Sequence, residues 1–206
     1  MKTLHFLILA ITILISNSVI AQILTAEEKE GILLMREEEK LAHDVYKLLY
    51  EKWNLPIFNN ISRSEARHID AVGFLIERYG LKDPAINVPG KFHNNELHEL
   101  YKNLTEKGSK SLVAALEVGA FIEEVDIKDL QELINQTSNE TIKTIYGNLL
   151  WASGNHLRAF TGQLAFRNKP YSPVILGEGE YEEIISSPHQ RARGYGYRNG
   201  FRGGRN

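Results

Sequence analysis

The 206-residue sequence contains no cysteine. Disulfides, zinc–thiolate sites and iron–sulfur clusters are therefore excluded, so stability must come from packing and any bound metal must take oxygen and nitrogen ligands. The same absence rules out lipid attachment through a cysteine near the N-terminus. An apolar run of about 20 residues, the length that spans a bilayer, is also missing: Phe6 to Ile15 is shorter and gives way to Ser16, Asn17 and Ser18. Nor is there a strong excess of one charge, the formal net charge being −2. Five arginines and no acidic residue lie between His189 and Asn206, which leaves the body acidic. That balance is not one of a nucleic-acid-binding domain, so no nucleic acid is expected on the core.

What is present is an ordinary globular composition, 43% hydrophobic and 24% charged, in a length that suits one domain. The first residues read as a signal peptide. Met1-Lys2 is a short positive region, Phe6 to Ile15 is apolar, and Val19-Ile20-Ala21 is a small-residue cleavage site before Gln22. The expectation is export, periplasmic or secreted, after cleavage near Ala21, with residues 1–21 removed, a domain over 22–170 and a flexible tail over 171–206.

Thr25-Ala26-Glu27-Glu28 has the form of a capping box, and Leu34, Leu41, Ala42, Val45, Leu48 and Leu49 then recur at helical spacing up to Trp53. A turn over Asn54 to Asn60 is expected next. Ser62 can cap a second helix that carries Ile69, Val72, Leu75, Ile76 and Tyr79 and stops at Gly80. Pro84, Pro89 and Gly90 break the chain before a short amphipathic helix from Asn94 to Lys107. Two more long helices are predicted, Ser111 to Asn135 and Glu140 to Phe166, with Lys169-Pro170 ending the last. Long helices joined short, long and short suit an all-α, ferritin-like four-helix bundle with a long crossover containing a short helix. Beyond Tyr171 the pattern decays, and the Gly-, Arg- and Tyr-rich stretch from His189 is expected to be flexible.

Charged residues fall where a core should be. Glu65 and His68 share the stripe of Ile61, Val72 and Tyr79, and burying a carboxylate beside an imidazole is costly unless they pair or bind metal. Ser62-Arg63-Ser64-Glu65 is also a capping-box pattern, which would use Glu65 locally and leave His68 a hydrogen-bonded core residue. On the first helix, Glu38 follows Leu34, Leu41 and Val45, while Glu39 follows Met35, Ala42 and Tyr46, so at least one faces inward. On the third long helix, Glu123 fills the gap between Ala120 and Ile127, with Glu117 and Glu124 on an adjacent line. On the fourth, His156 shares a face with Leu149, Ala152, Ala159 and Phe160. Carboxylates with one or two imidazoles in a dry core suit iron or manganese, and such ions react with oxygen or peroxide.

Together, Glu37 to Tyr46, Ser64 to His68, Gly119 to Ile127 and Ser153 to Phe160 resemble a ferritin-like, rubrerythrin-related family catalogued as domain-of-unknown-function family 2202. The resemblance covers about Leu24 to Phe166. It implies a ferritin-like bundle with iron, as a di-iron pair or a single ion, or manganese. By position, Glu39 looks like the first-helix ligand, Glu65 with His68 the second-helix pair, and His156 the fourth-helix histidine. Glu123 is the first choice on the third long helix, with Glu117 and Glu124 as competitors. One departure matters: the wider superfamily pairs its fourth-helix His with a Glu three residues earlier, where this chain has Ser153. That leaves an asymmetric pair, a single ion, or an extra ligand from Glu117, Glu124 or His43.

The leading expectation is an exported metal-binding protein, its partners metal ions and a small oxidant such as peroxide or oxygen, acting as a metal-dependent oxidoreductase. Two alternatives stand beside it: a non-enzymatic bundle with a buried polar network that binds a partner, and metal sequestration without turnover. A homodimer is left open.

Overall fold

The structure, a computed structural model, describes residues 23–187. The expected signal peptide and the segment from Pro188 onward lie outside the described residues. Among the described residues there are six helices and no strand: α1 Ala26–Trp53, α2 Pro56–Arg78, α3 Asn95–Gly108, α4 Leu112–Gln136, α5 Glu140–Phe166 and α6 Glu178–Ser186. None is long and apolar enough to cross a membrane.

Local signals explain most boundaries. The Thr25 hydroxyl accepts from the Glu28 N–H at 3.1 Å, and the Glu28 carboxylate accepts from the Thr25 N–H at 3.0 Å, closing the capping box. Ser111 caps α4 and Asn139 caps α5 through their side-chain oxygens. Helix α2 departs from expectation. It starts two turns before the expected Ser62 cap, because Asn54 adopts the left-handed conformation that ends α1 (φ 49°) and Pro56 then takes the first-turn place where its missing N–H costs nothing. Ser62 is therefore interior to the helix and donates to the His43 carbonyl at 3.4 Å, and Glu65 is not part of a capping box.

Helices α1 and α2 pack along one another, as do α4 and α5, and the two pairs meet through α1 with α4 and α2 with α5. Close approach of α4 and α5 depends on Gly119, where a Cβ would stand 2.5 Å from the Phe160 ring. Charged residues on the outer face of α1 clamp the crossover. Arg36 forks onto Asp83 at 2.8–3.1 Å, Glu37 accepts from the His93 and Asn94 N–H groups, and Lys40 bonds Asp44 and the Val88 carbonyl. Asp44 also accepts from the Gly90 N–H at 2.9 Å.

The stretch after Tyr171 is structured as far as Ser187, although its sequence pattern is weak. Its order comes from one residue elsewhere: the buried Glu124 carboxylate accepts from the N–H groups of Val174, Ile175 and Leu176 and from the Tyr171 hydroxyl. Helix α6 then lies against α5, with Tyr181 buried and Arg158 donating to the Ile184 carbonyl at 2.7 Å.

The core falls into two apolar clusters. One holds Leu41, Val45, Leu49, Phe58, Ile61, Leu116, Leu157 and Phe160, and the other Ile32, Met35, Val72, Leu75, Leu130, Ile142 and Leu149. Along α1, α2 and α5 the change from one cluster to the other occurs at a polar turn, Glu38-Glu39, Glu65 to His68, and Ser153 to His156; α4 has its polar turn at Glu123 to Asp126 and passes to the second cluster just beyond it, between Ile127 and Leu130.

Candidate metal centre

The polar turns of α1, α2, α4 and α5 meet in one layer. Glu39, Glu65 and Glu123 are at most 1% exposed, and His68 and His156 stand at its edge at 8% and 9%. The His68 ring nitrogen Nδ1 lies 3.1 Å from Glu39 Oε2 and 2.6 Å from Glu65 Oε2. On the other side, His156 Nδ1 lies 2.9 Å from Glu65 Oε1 and 3.4 Å from Glu123 Oε2. The two imidazoles are nearly parallel, their centroids 5.7 Å apart. Glu65 thus faces both.

Two donor groups result, Glu39–Glu65–His68 and Glu65–Glu123–His156, each with its ligand atoms within 4.8 Å of one another. Such a spread matches donors around one ion with bonds of about 2.0–2.6 Å. Glu39 Oε1, Glu65 Oε1, Glu123 Oε2 and His156 Nδ1 are buried without a hydrogen-bond partner, so the short His156–Glu65 and His156–Glu123 approaches are not aligned hydrogen bonds. Buried polar groups are rarely left so. Donors converge in space while satisfying one another only in part, at His68 with Glu39, which leaves atoms free for a cation.

The electrostatics express the same crowding. Burial, only partly offset by His68, pushes Glu39 up to about 7. Burial also raises Glu123 despite His156. Glu65 behaves oppositely: burial alone would raise it, but His156 and then His68 hold it well below the usual carboxylate range. Burial disfavours charge on both imidazoles, yet Glu39 and then Glu65 push His68 up to about 10, and Glu123 with Glu65 raises His156 well above its ordinary value. Each imidazole stands in for a cation between two carboxylates.

Tyr46, fully buried, donates from its hydroxyl to Glu123 Oε1 at 2.6 Å and orients that carboxylate. Its hydroxyl is held protonated by burial and by the nearby Glu123.

The structure brings Glu39, Glu65, His68, Glu123 and His156 together and leaves Glu117 and Glu124 outside. Glu124 anchors the 174–176 backbone as described, and Glu117 is half-buried beside Tyr171 on the opposite flank of α4. His43 is also outside, its Nδ1 3.1 Å from Asp44 Oδ1. Ser153 is buried, but its hydroxyl donates to the Leu149 carbonyl at 3.2 Å and so turns back on its own helix. Glu38, left open with Glu39 as an inward residue, is buried too; it is raised well above the usual range by burial and by Asp129 beside it. One residue of the layer was missed altogether. Asp126 is 3% exposed, one turn beyond Glu123, and the Glu-x-x-Asp spacing, parallel to Glu65-x-x-His68, was the available signal.

Comparison with known proteins is consistent with this architecture. The chain is 52% identical over 176 residues to the uncharacterized protein MJ0754 of Methanocaldococcus jannaschii, an alignment spanning 85% of this chain and 95% of that one. The crystal structure of the hypothetical protein MJ0754 superposes with a TM-score of 0.80 at 53% identity, covering 81% of this chain and 96% of that chain. Residues 28–188 match the family model described as an uncharacterized protein domain, DUF2202, and the match takes in the α6 segment as well as the long helices. The chain belongs to the DUF2202 family.

Proposed function

We propose that this chain is a ferritin-like, rubrerythrin-related metal-binding protein that holds two divalent iron or manganese ions in the polar layer, with Glu65 shared between them. The carrying observation is that Glu65 belongs to both donor groups, one oxygen toward each imidazole. Glu39 and His68 would complete one ligand set, and Glu123 and His156 the other. Carboxylate and imidazole donors of this kind favour iron or manganese over softer metals. A redox-active ion bound there would supply electrons to oxygen or peroxide, itself being oxidised. The protein's own residues do the rest: Tyr46 fixes Glu123, the apolar clusters flank the layer on both sides, and His68 and His156 are its donors nearest to solvent. The N-terminal pattern supports export, with the reaction placed in the cell envelope.

Elemental analysis and anomalous scattering on the purified protein test this reading. Two transition-metal ions per chain, lost on His68→Ala and His156→Ala, are expected; a protein that takes up none sinks it. A second reading is favoured by the ion pairs of His68 with Glu39 and Glu65, which satisfy part of the layer without metal. It makes the layer a structural network and expects melting that is indifferent to metal. Sequestration without turnover would appear as metal uptake with no accelerated oxidation when Fe(II) and oxygen or peroxide are mixed in stopped flow.

A further inference from the structure

Two further buried carboxylates, Asp126 and Glu38, adjoin the two donor groups without belonging to either. Asp126 lies three residues after Glu123 on the same face of α4, buried, and its Oδ2 has no hydrogen-bond partner. A buried carboxylate without a partner is costly. The groups that act on it are Glu39, Glu123, Glu38 and Glu65, and with burial they push it well above the usual carboxylate range. Beside it is a cavity of about 20 Å³, lined by Asp126, Glu38, Leu41, Leu104 and Phe121 among others, which is room for about one water.

Two facts about the neighbouring helix give this residue a role. A symmetric two-ion bundle site takes four carboxylates and two imidazoles, with a Glu-x-x-His pair on each of two helices. Here α2 has that pair in Glu65 and His68, whereas α5 has His156 but Ser153 in the carboxylate place, its hydroxyl committed to Leu149. We propose that Asp126 on α4 is the fourth carboxylate of the layer, serving the ion held by Glu65, Glu123 and His156 and replacing the carboxylate that α5 lacks. Glu39, Glu65, Glu123 and Asp126 then match the charge of two divalent ions while both imidazoles bind as neutral donors. Glu38 is not needed for that balance, because Asp129 beside it favours its protonated form. The inference rests on the two-ion reading given above.

Titration of the purified protein with Mn(II) under nitrogen tests it, with Asp126→Asn and Asp126→Glu alongside. The wild type is expected to bind two ions; Asp126→Asn should keep one and bind the second at least tenfold more weakly, and Asp126→Glu should restore the second. Asp126→Asn indistinguishable from wild type, with two ions still bound by both, overturns this inference and leaves the two-ion reading intact. No ion bound by the wild type overturns both. Anomalous scattering from wild-type crystals soaked in Mn(II) gives a check that needs no variant. Two peaks with the Asp126 carboxylate turned toward the one at His156 are expected, and the same peaks with that carboxylate facing neither overturn it.

Discussion

At the scale of single residues, protons occupy the role that cations would take. His68, ordinarily near 6.5, is pushed up to about 10, and Glu39, ordinarily near 4.5, to about 7. Both shifts are upward, so the folded state holds these protons more tightly than the unfolded chain. The His68 contribution to stability is complete below about 6.5 and is lost as pH rises toward 10; that of Glu39 is complete below about 4.5 and is lost by about 7. Glu65 is shifted the other way, so its contribution disappears only on the acid side of its ordinary 4.5. Metal-free protein should therefore melt at steadily lower temperature from pH 6 to pH 10. Calorimetry across that range checks it, and a flat or rising profile would contradict the ion-paired histidines. Residues of this kind were legible because helical periodicity puts Glu39, Glu65, His68, Glu123 and His156 on apolar stripes. The choice among Glu117, Glu123 and Glu124 was not, since Glu123 and Glu124 are both fully buried. What separates them is the partner each meets, and the partner of Glu124 lies 50 residues away in a segment with no strong pattern.

At the scale of elements, Glu124 shows how one buried acid organises a stretch that could not fold alone. Its carboxylate gathers three backbone N–H groups and the Tyr171 hydroxyl, and hydrogen bonds to a charged group contribute about 1.5–3 kcal/mol each before the cost of burial. Glu124→Gln keeps the size but weakens this hold. Hydrogen exchange should accelerate across 174–186, and metal stoichiometry should not change; loss of metal with an unaltered exchange pattern would return Glu124 to the list of ligands. The Thr25 capping box, the Lys169-Pro170 stop and the short crossover helix were readable from local composition, whereas the expected Ser62 cap was not one. The start of α2 was not readable, because Asn54 to Asn60 looks like a turn by residue type. Only two of those residues leave the helix, and Pro56 supports its first turn instead of breaking it.

At the scale of the whole molecule, the two-ion reading sets metal and protons in competition for one layer. Bound ions need both imidazoles neutral and the carboxylates ionised, so affinity rises with pH while the metal-free fold weakens. The rise in melting temperature on adding Mn(II) should consequently be larger at pH 9 than at pH 6. A ligand present at about a thousand times its Kd contributes about 4 kcal/mol, so the difference is well within reach of a thermal scan. An increment that shrinks with pH would argue against ligation by the two histidines. The six-helix topology could be read from pattern and punctuation except for α6, whose position depends on contacts with α4 and α5 that no local signal announces.

The division of the interior into two apolar clusters carries a mechanical implication. All four long helices cross the same charged belt at mid-length, so the molecule resembles two short barrels joined at a waist. Tightness at that waist depends on charge balance, while each end is held by its own oily packing. Unbalancing the belt would slacken the middle first and leave both ends gripped, and cooperative melting of the two halves would depend on how the charges of the belt are compensated.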